Sequence, residues 1–324
     1  LRSDSCKSIT VDFCRNIVVI KFQILVKMSH SCLLRKSKVF CDSLFFYICS
    51  RIHPIMKTII TYFLLMLSLV LPLGCDMIEY HPYATRVTGD TDLTRRMIER
   101  IETECAGKDT LRFAVISDTQ RWYDETKLLV NAINARGDVD FVIHLGDQSD
   151  FGLTEEFKWQ RKLLMGFQMP YVCIIGNHDC LGTGEDVYHK MYGDDNFSFN
   201  ASFLHVLCLN TNAFEYDYSQ AIPDFSFIKD DLAAVPDSVM RTVVAMHAIP
   251  YTEQFNNNVA DYFDYMLNQF PQLLFCMGGH DHHVGIDYPY ENGVPYYKSG
   301  SAKSLAYLLF TITRSTYRYE AFDL

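Results

Sequence analysis

The sequence predicts an α/β domain with buried, mainly parallel strands. From Leu111 onward, short apolar segments alternate with segments of helical period, which is the order that βαβ units produce. The apolar segments are continuous rather than alternating, as expected for strands that are covered on both faces. The chain has 324 residues, of which 49% are hydrophobic, so it is long enough for a sizeable core and too apolar to be disordered.

The first half supplies the parallel part of the expected sheet. We predict a helix over 91–105, capped by Thr91 or Asp92. Strands are expected near 112–117, 140–145 and 171–175, and helices near 124–136 and 154–166. The second half is richer in strands, with one clear helix at 259–270. Its strands are expected at 197–210, 241–248, 272–279, 294–300, 305–313 and 315–322. No linker divides residues 111–324, which predicts one domain over that range.

The N-terminal region predicts export. Met56 opens "MKTIITYFLLMLSLVLPLGC", with one Lys, an apolar run from Ile59 to Leu73, and a small residue before Cys75. This pattern is typical of a signal peptide, and its ending resembles a lipobox although Pro72 stands where Leu is usual. The alternative is a single membrane-anchor helix, but the run has 15 residues against the roughly 20 that a span needs.

The domain boundaries follow from this interpretation. We expect residues 1–55 to be an upstream extension outside the fold, 56–75 a lipoprotein-type signal peptide, 76–110 a tether with the first helix, and 111–324 the folded domain. The protein would then be exported and attached to a bacterial cell-envelope membrane through lipidated Cys75, facing the periplasm or the surface. The sequence does not indicate the oligomeric state.

Charge is distributed unevenly along the chain. The net charge is −10, but residues 1–55 carry nine Lys and Arg against three Asp and Glu, whereas residues 76–324 carry 19 against 36. A body this acidic repels polyanions and argues against a general nucleic-acid binder.

Cysteine usage predicts neither a disulfide framework nor a zinc ribbon. The region after Cys75 has an odd number of cysteines and no C-x-x-C pair, so buried free thiols are expected. Cys180 is singled out because it adjoins the polar stretch "GNHDC".

Polar side chains follow several of the predicted strands at the point where each strand ends. They are found in "FAVISDTQ" (113–120), "FVIHLGDQSD" (141–150), "GNHDC" (176–180), "VVAMH" (243–247) and "CMGGHDHH" (276–283). Ligands collect at the carboxyl ends of strands in open α/β sheets. Carboxylate, imidazole and carboxamide groups that converge there are a typical divalent-metal ligand set.

This series resembles the calcineurin-like metallophosphoesterase superfamily, from residue 111 to about 285. Its elements are D-x-[HQ], G-D-x-x-D, G-N-H-[DE], a lone His and G-H-x-H. The resemblance implies a four-layer αββα fold with two mixed sheets. It also implies a dinuclear metal centre with a bridging hydroxide, which hydrolyses phosphomonoesters or phosphodiesters. The implied partner is a small phosphoester substrate.

The same resemblance implies a role for each site residue. Asp147 would bridge two divalent metal ions. One ion would bind Asp118, Gln120 and His282, and the other would bind Asn177, His247 and His280. His178 would protonate the leaving oxygen, and Asp150 would orient His178 and raise its pKa. The oxygen ligands favour Mn²⁺ or Mg²⁺, and the imidazoles also admit Fe or Zn, with Mn the preferred expectation.

Two residues depart from the superfamily pattern. Gln120 stands where His is usual, and a neutral amide is a weaker metal donor than imidazole. Phe151 stands where phosphoprotein phosphatases have an Arg, so a phosphate would lack that bidentate clamp.

Other residues near the motifs leave alternatives open. Trp122 and Tyr123 could stack on a substrate, but local packing is favoured, and His144 is expected to be structural. Residues 253–258 could rim the cleft or start a helix.

Two other functions compete with metal-dependent hydrolysis. One is a surface lipoprotein that keeps the fold and a weak metal site but binds its ligand without hydrolysing it, and Gln120 favours this alternative. The other is a nuclease of the same superfamily, which the acidic body disfavours.

Overall fold

The computed structural model describes residues 47, 50, 57–63, 65, 66, 81 and 83–324. The chain divides into two units, Leu1–Glu79 and Tyr80–Leu324. In the first unit, residues 57–63, 65 and 66 are helical. Cys75 and much of the predicted signal peptide lie outside the described residues. In the parts of the chain that the structure describes, no helix is both long enough and apolar enough to cross a membrane.

The second unit alternates helices and strands. Its helices are α1 (Leu93–Cys105), α2 (Tyr123–Arg136), α3 (Thr154–Leu164), α4 (Gly184–Met191), α5 (Phe225–Ala234) and α6 (Ala260–Leu267). Its strands are β1 (Thr110–Ile116), β2 (Phe141–His144), β3 (Tyr171–Cys173), β4 (Phe197–Ala201), β5 (Leu204–Leu209), β6 (Arg241–Met246), β7 (Leu273–Gly278), β8 (Gly285–Asp287), β9 (Tyr296–Lys298), β10 (Ala306–Thr313) and β11 (Tyr317–Asp323). Short 3-10 helices cover His178–Cys180, Ala213–Tyr216, Asn257–Val259 and Ala302–Ser304.

The strands form two mixed sheets. The first has the order β11-β10-β1-β2-β3, and the second has the order β4-β5-β6-β7-β9-β8. Strands β1, β2 and β3 are parallel to one another, and so are β5, β6, β7 and β9. Strands β10 and β11 pair antiparallel at one end of the first sheet.

The two sheets pack face to face, with helices on the outside. The central core contains buried residues of both sheets, and the Phe275 and Phe310 rings stack across it with centroids 4.5 Å apart. A second core lies between the first sheet and helices α2, α3 and α4, and a third lies between the second sheet and helices α5 and α6. This is the four-layer αββα arrangement that the family resemblance implied.

The structure differs from the sequence predictions in a few elements. The stretch 197–210, predicted as one strand, is a β4–β5 hairpin that turns at Ser202, where φ is +53°. Helices α4 and α5 and strand β8 were not predicted. The apolar residues flanking Ser202 hide the turn, because they continue the pattern of a buried strand on both sides.

The described part of the predicted tether is packed on the domain. The Arg161 guanidinium of α3 donates to Thr88 O at 2.6 Å and to Asp90 O at 2.7 Å. Lys190 of α4 donates to Thr85 Oγ1 at 2.7 Å. These hydrogen bonds hold residues 85–90 against the outer helices.

Candidate metal centre

The loops that follow the parallel strands bring the predicted ligands to one edge of the two sheets. Each ligand comes within a few residues of the end of β1, β2, β3, β6 or β7. Four of them adopt left-handed backbone conformations, which are uncommon for residues other than glycine and recur at functional sites. These are Asp118 (φ 53°), Asp147 (φ 60°), His280 (φ 68°) and His282 (φ 58°).

Gly176 allows the loops after β2 and β3 to touch. A Cβ atom at Gly176 would lie 2.2 Å from both the backbone nitrogen and Oδ1 of Asp147. No side chain fits in that space. The glycine of the G-N-H-D motif is therefore required by the close approach of Asp147.

The first group of ligand atoms belongs to Asp118, Asp147 and His282, and all lie within 4.8 Å of one another. Both carboxylates are buried, whereas the His282 side chain is 53% exposed, with Nε2 3.1 Å from Asp118 Oδ1. This group therefore consists of two buried carboxylates and one partly exposed imidazole.

Gln120 completes this first group. Its Nε2 donates to Asp147 Oδ2 at 3.3 Å, and its Oε1 is buried without a hydrogen-bond partner. Rotating the amide by half a turn would exchange the two atoms and bring two oxygens together. A cation bound between the two oxygens would stabilise them, so the geometry of Gln120 fits a metal ion beside Asp147.

The second group is built around Asn177. Its Oδ1 lies 3.0 Å from His247 Nε2 and 3.1 Å from His280 Nδ1. His247 Nδ1 donates to Leu145 O at 2.7 Å, which turns Nε2 toward the site, 3.5 Å from Asp147 Oδ2. Asp147 therefore contacts residues of both groups. Carboxylate, amide and imidazole donors in this arrangement fit two divalent ions.

The electrostatics of the site favour positive charge. Burial alone would lower the pKa of His247, but the Asp147 and Asp118 carboxylates raise it to about 10. A hydrogen bond to Asp118 raises the pKa of His282. Burial opposes ionisation of Asp147, yet His247 and His178 lower its pKa. The two buried carboxylates thus attract cations to the site.

His178 lies beside these groups, and its side chain is held differently from the prediction. Its backbone nitrogen donates to Asp147 Oδ1 at 2.9 Å, and Nδ1 donates to the backbone carbonyl of Asp150 at 2.8 Å. The Asp150 carboxylate is 3.9 Å from Nδ1 and forms an ion pair with Arg121. The orienting group is therefore the Asp150 carbonyl and not the carboxylate that the sequence suggested.

Asp179 has a role that sequence reasoning did not assign. Its buried carboxylate accepts from the backbone nitrogens of Asp147 (2.9 Å), Ser149 (2.8 Å) and Gly176 (3.0 Å). Burial and the Asp147 charge raise the pKa of Asp179, and these hydrogen bonds oppose that shift. Asp179 ties together the two loops that carry Asp147 and Asn177. Its position directly after Gly-Asn-His was the only signal for this role.

The remaining flagged residues have structural contacts. His144 Nδ1 accepts from Gly146 N, its Nε2 donates to Thr119 Oγ1, and burial lowers its pKa to about 3, which keeps it neutral. Burial raises the pKa of the Cys180 thiol. The Tyr123 ring packs edge-on against Trp159 at 5.7 Å. These contacts agree with the structural roles expected for His144 and Tyr123.

Comparisons with known proteins agree with this geometry. The sequence model of the calcineurin-like phosphoesterase family matches residues 111–300. No curated protein sequence matches the chain. A purple acid phosphatase from yellow lupin seeds is similar in structure, with a TM-score of 0.53 and 14% identity over 67% of this chain. The match spans 52% of the lupin protein, so this chain corresponds to about half of its length.

A second similar structure is GAP50 from Plasmodium, described as the anchor in the inner membrane complex. Its TM-score is 0.52, with 12% identity over 67% of this chain and 85% of that protein. At these identities, both likenesses concern the fold.

Proposed function

We propose that this chain, which belongs to the calcineurin-like phosphoesterase family, is a metal-dependent hydrolase that cleaves phosphomonoesters or phosphodiesters at a centre of two divalent metal ions. The observation that carries the proposal is the position of Asp147. Its Oδ2 lies 3.3 Å from Gln120 Nε2 and 3.5 Å from His247 Nε2, so one carboxylate oxygen contacts a residue of each group, as expected of a ligand shared by two ions.

The remaining side chains divide between the two ions. Asp118, Gln120 and His282 would hold one, and Asn177, His247 and His280 would hold the other. When bound, two such cations activate water and stabilise the charge on the attacking and leaving oxygens of an in-line displacement. The mixed oxygen and nitrogen ligands suit Mn²⁺ best in our proposal, with Mg²⁺, Fe and Zn as alternatives.

His178 would protonate the leaving oxygen. Its Nδ1 is occupied by the Asp150 carbonyl, which leaves Nε2 as the atom that can carry a proton to the substrate. The side chain is 32% exposed, so it is accessible to a substrate. A general acid must meet both conditions: hydrogen-bond access and a fixed ring orientation.

A second candidate function is ligand binding without hydrolysis. It is favoured by Gln120, a weaker donor than the usual His. A protein that shares this fold, the Plasmodium protein GAP50, is described as an anchor. In this alternative the first ion would bind weakly and turnover would be absent.

Turnover of an aryl phosphate separates the two candidates. The purified full chain is stripped with a chelator and reconstituted with Mn²⁺, and p-nitrophenol release is measured from p-nitrophenyl phosphate and bis(p-nitrophenyl) phosphate. Our proposal predicts metal-dependent release from at least one of them. Bound Mn²⁺ with no release from either ester would favour the binding protein instead.

We also propose that the protein is a lipoprotein anchored through Cys75. The support is the sequence of residues 56–75, with its single Lys, short apolar run and final Gly-Cys.

A further inference from the structure

A cavity of about 480 Å³ is lined in part by residues that neighbour the proposed metal ligands in the chain. One wall is formed by residues 249–252, which follow His247 in the chain. The facing walls are formed by Asp281, which lies between His280 and His282, and by residues 287–289. The loops that carry three of the proposed ligands therefore also build this cavity. Its volume is in the range of small-molecule sites, roughly 300–1,000 Å³.

Tyr251 is held in a strained conformation at the wall of the cavity. Its φ is +69°, in the left-handed region that bulky residues rarely adopt. The Asn257 side chain stabilises it, since Oδ1 accepts from Tyr251 N at 2.7 Å and Nδ2 donates to Thr252 O at 2.9 Å. Tyr251 nevertheless remains 55% exposed. Its hydroxyl donates to Asp261 Oδ1 at 3.2 Å, and the fixed, exposed ring lines the cavity.

The opposite wall carries negative charge. Lys298 Nζ lies 3.1 Å from an Asp281 carboxylate oxygen and 2.8 Å from an Asp287 carboxylate oxygen. Lys298 is 7% exposed, so its ammonium lies behind the two acids. The carboxylates of Asp281 and Asp287 carry two negative charges and the Lys298 ammonium carries one positive charge, so the three groups have a net charge of −1. None of the described residues that line the cavity is basic, which disfavours a ligand carrying a second phosphate or a carboxylate.

We propose that this cavity binds the leaving group of the phosphoester and selects an organic group that carries an amine or quaternary ammonium cation. Tyr251 and Tyr288, which is 62% exposed, offer aromatic faces for cation–π contacts. The excess carboxylate charge supplies the preference for a cation over a neutral group of the same shape. This inference rests on the proposed hydrolysis, because it assigns the cavity to the departing half of the same substrate.

Phosphocholine is a suitable probe of this class. In its hydrolysis, the bond between phosphorus and the choline oxygen breaks, and water supplies the new oxygen on phosphorus. The choline oxygen takes up a proton, which His178 would deliver. The products are choline and inorganic phosphate, so no further reactant is needed.

Binding of the free leaving group tests the cavity without turnover. Calorimetric titration of the Mn²⁺-loaded full chain would compare choline with 3,3-dimethylbutan-1-ol, its neutral carbon isostere. We expect choline to bind at least tenfold more tightly. Asp287→Asn should reduce that ratio, and Tyr251→Leu should weaken choline binding about fivefold through the lost cation–π contact. Asp237→Asn, an exposed acid elsewhere, is the control and should change neither value.

Hydrolysis then separates failure of this inference from failure of the proposed function. We expect kcat/KM for phosphocholine to exceed that for 3,3-dimethylbutyl phosphate at least tenfold. Equal values for the two esters, or equal binding of choline and its isostere, would overturn the cation preference while leaving a phosphoesterase. If no ester is hydrolysed, the proposed function fails, and the titration alone still decides what the cavity binds.

Discussion

The His178 ring is oriented by a backbone carbonyl. The Asp150 carbonyl accepts from its Nδ1, while the Asp150 carboxylate pairs with Arg121. A carboxylate partner would stabilise the charged imidazolium, whereas a carbonyl fixes the ring with less effect on its charge. The two arrangements predict different results for substitutions at Asp150.

The first prediction concerns this pair. His178→Ala should lower kcat by about 10²–10⁴-fold, the usual loss for a missing general acid, while both metals stay bound. The loss should shrink for leaving groups of low pKa, which need no proton. Asp150→Asn keeps the carbonyl and should change kcat less than fivefold. A loss at Asp150→Asn as large as that at His178→Ala would show that the carboxylate does orient the histidine.

The second prediction concerns Gln120. An amide oxygen carries no charge and is a poorer donor than imidazole, so the ion held by Asp118, Gln120 and His282 should leave first on chelation. Gln120→His should tighten that ion, as measured by metal titration of both proteins. Two ions of equal affinity in the parent, unchanged in the variant, would show that Gln120 does not bind metal.

Residue identities were more predictable than side-chain directions. The motifs bring together all seven predicted ligands, because each follows a buried strand and the strand ends meet. The Asp150–Arg121 ion pair was not predictable, since Arg121 lies 29 positions away in the chain and its φ is +60°. The direction of a side chain depends on backbone conformations that composition does not reveal.

At the scale of elements, the site depends on how closely the loops after β2 and β3 approach each other. Asp179 and Gly176 set that approach, the first by accepting backbone hydrogen bonds from both loops and the second by having no side chain.

The third prediction tests this packing. Gly176→Ala should displace Asp147, lower metal affinity by more than tenfold, and reduce the free energy of unfolding by about 1–3 kcal/mol, as overpacking usually does. Gly285→Ala is the matched control, because its Cβ would lie 3.3 Å from Lys298 Cε and 3.6 Å from His283 Cδ2, which are near-normal contact distances. Metal titration and urea unfolding would measure both effects. Normal metal affinity in Gly176→Ala would contradict the requirement for close approach.

Strands were easier to predict than their pairing and the short elements. Strands β1, β2 and β3 contain continuous apolar runs at 113–116, 141–143 and 171–173, and each strand was expected close to its observed position. The three-residue β8 pairs with β9 through Gly285, Ile286 and Asp287, a stretch too short to show any period. Helix α5 was missed because "FSFIKDDLAA" opens with aromatic residues, which sequence patterns associate with strands.

At the scale of the whole molecule, the acidic charge of the region after Cys75 bears on which substrates the protein can bind, and the N-terminal segment bears on where the protein is located. The excess of acidic residues after Cys75 repels polyanions and leaves small phosphoesters, drawn in by bound cations, as the expected substrates. The family match covers residues 111–300 and does not include residues 56–75. The proposal that these residues form a lipoprotein signal peptide is therefore based on their own sequence pattern.

The fourth prediction concerns the proposed anchor. In a bacterial host, the wild-type chain should be found in the membrane fraction and incorporate labelled palmitate. Cys75→Ser should abolish both, because the serine hydroxyl is not lipidated. Cys105→Ser, at a buried thiol in α1, is the control and should keep both. Palmitate labelling that survives Cys75→Ser would refute lipidation at Cys75.

The most direct test of the central claim is the number of Mn²⁺ ions per chain at which phosphoester hydrolysis saturates. Metal-free protein would be titrated with Mn²⁺, and bound metal and p-nitrophenyl phosphate turnover would be measured at each step. The account predicts that turnover saturates at two ions per chain and that Asp147→Asn loses affinity for both ions together with turnover. Saturation at one ion, or full turnover by Asp147→Asn with both ions bound, would contradict a dinuclear centre joined by Asp147.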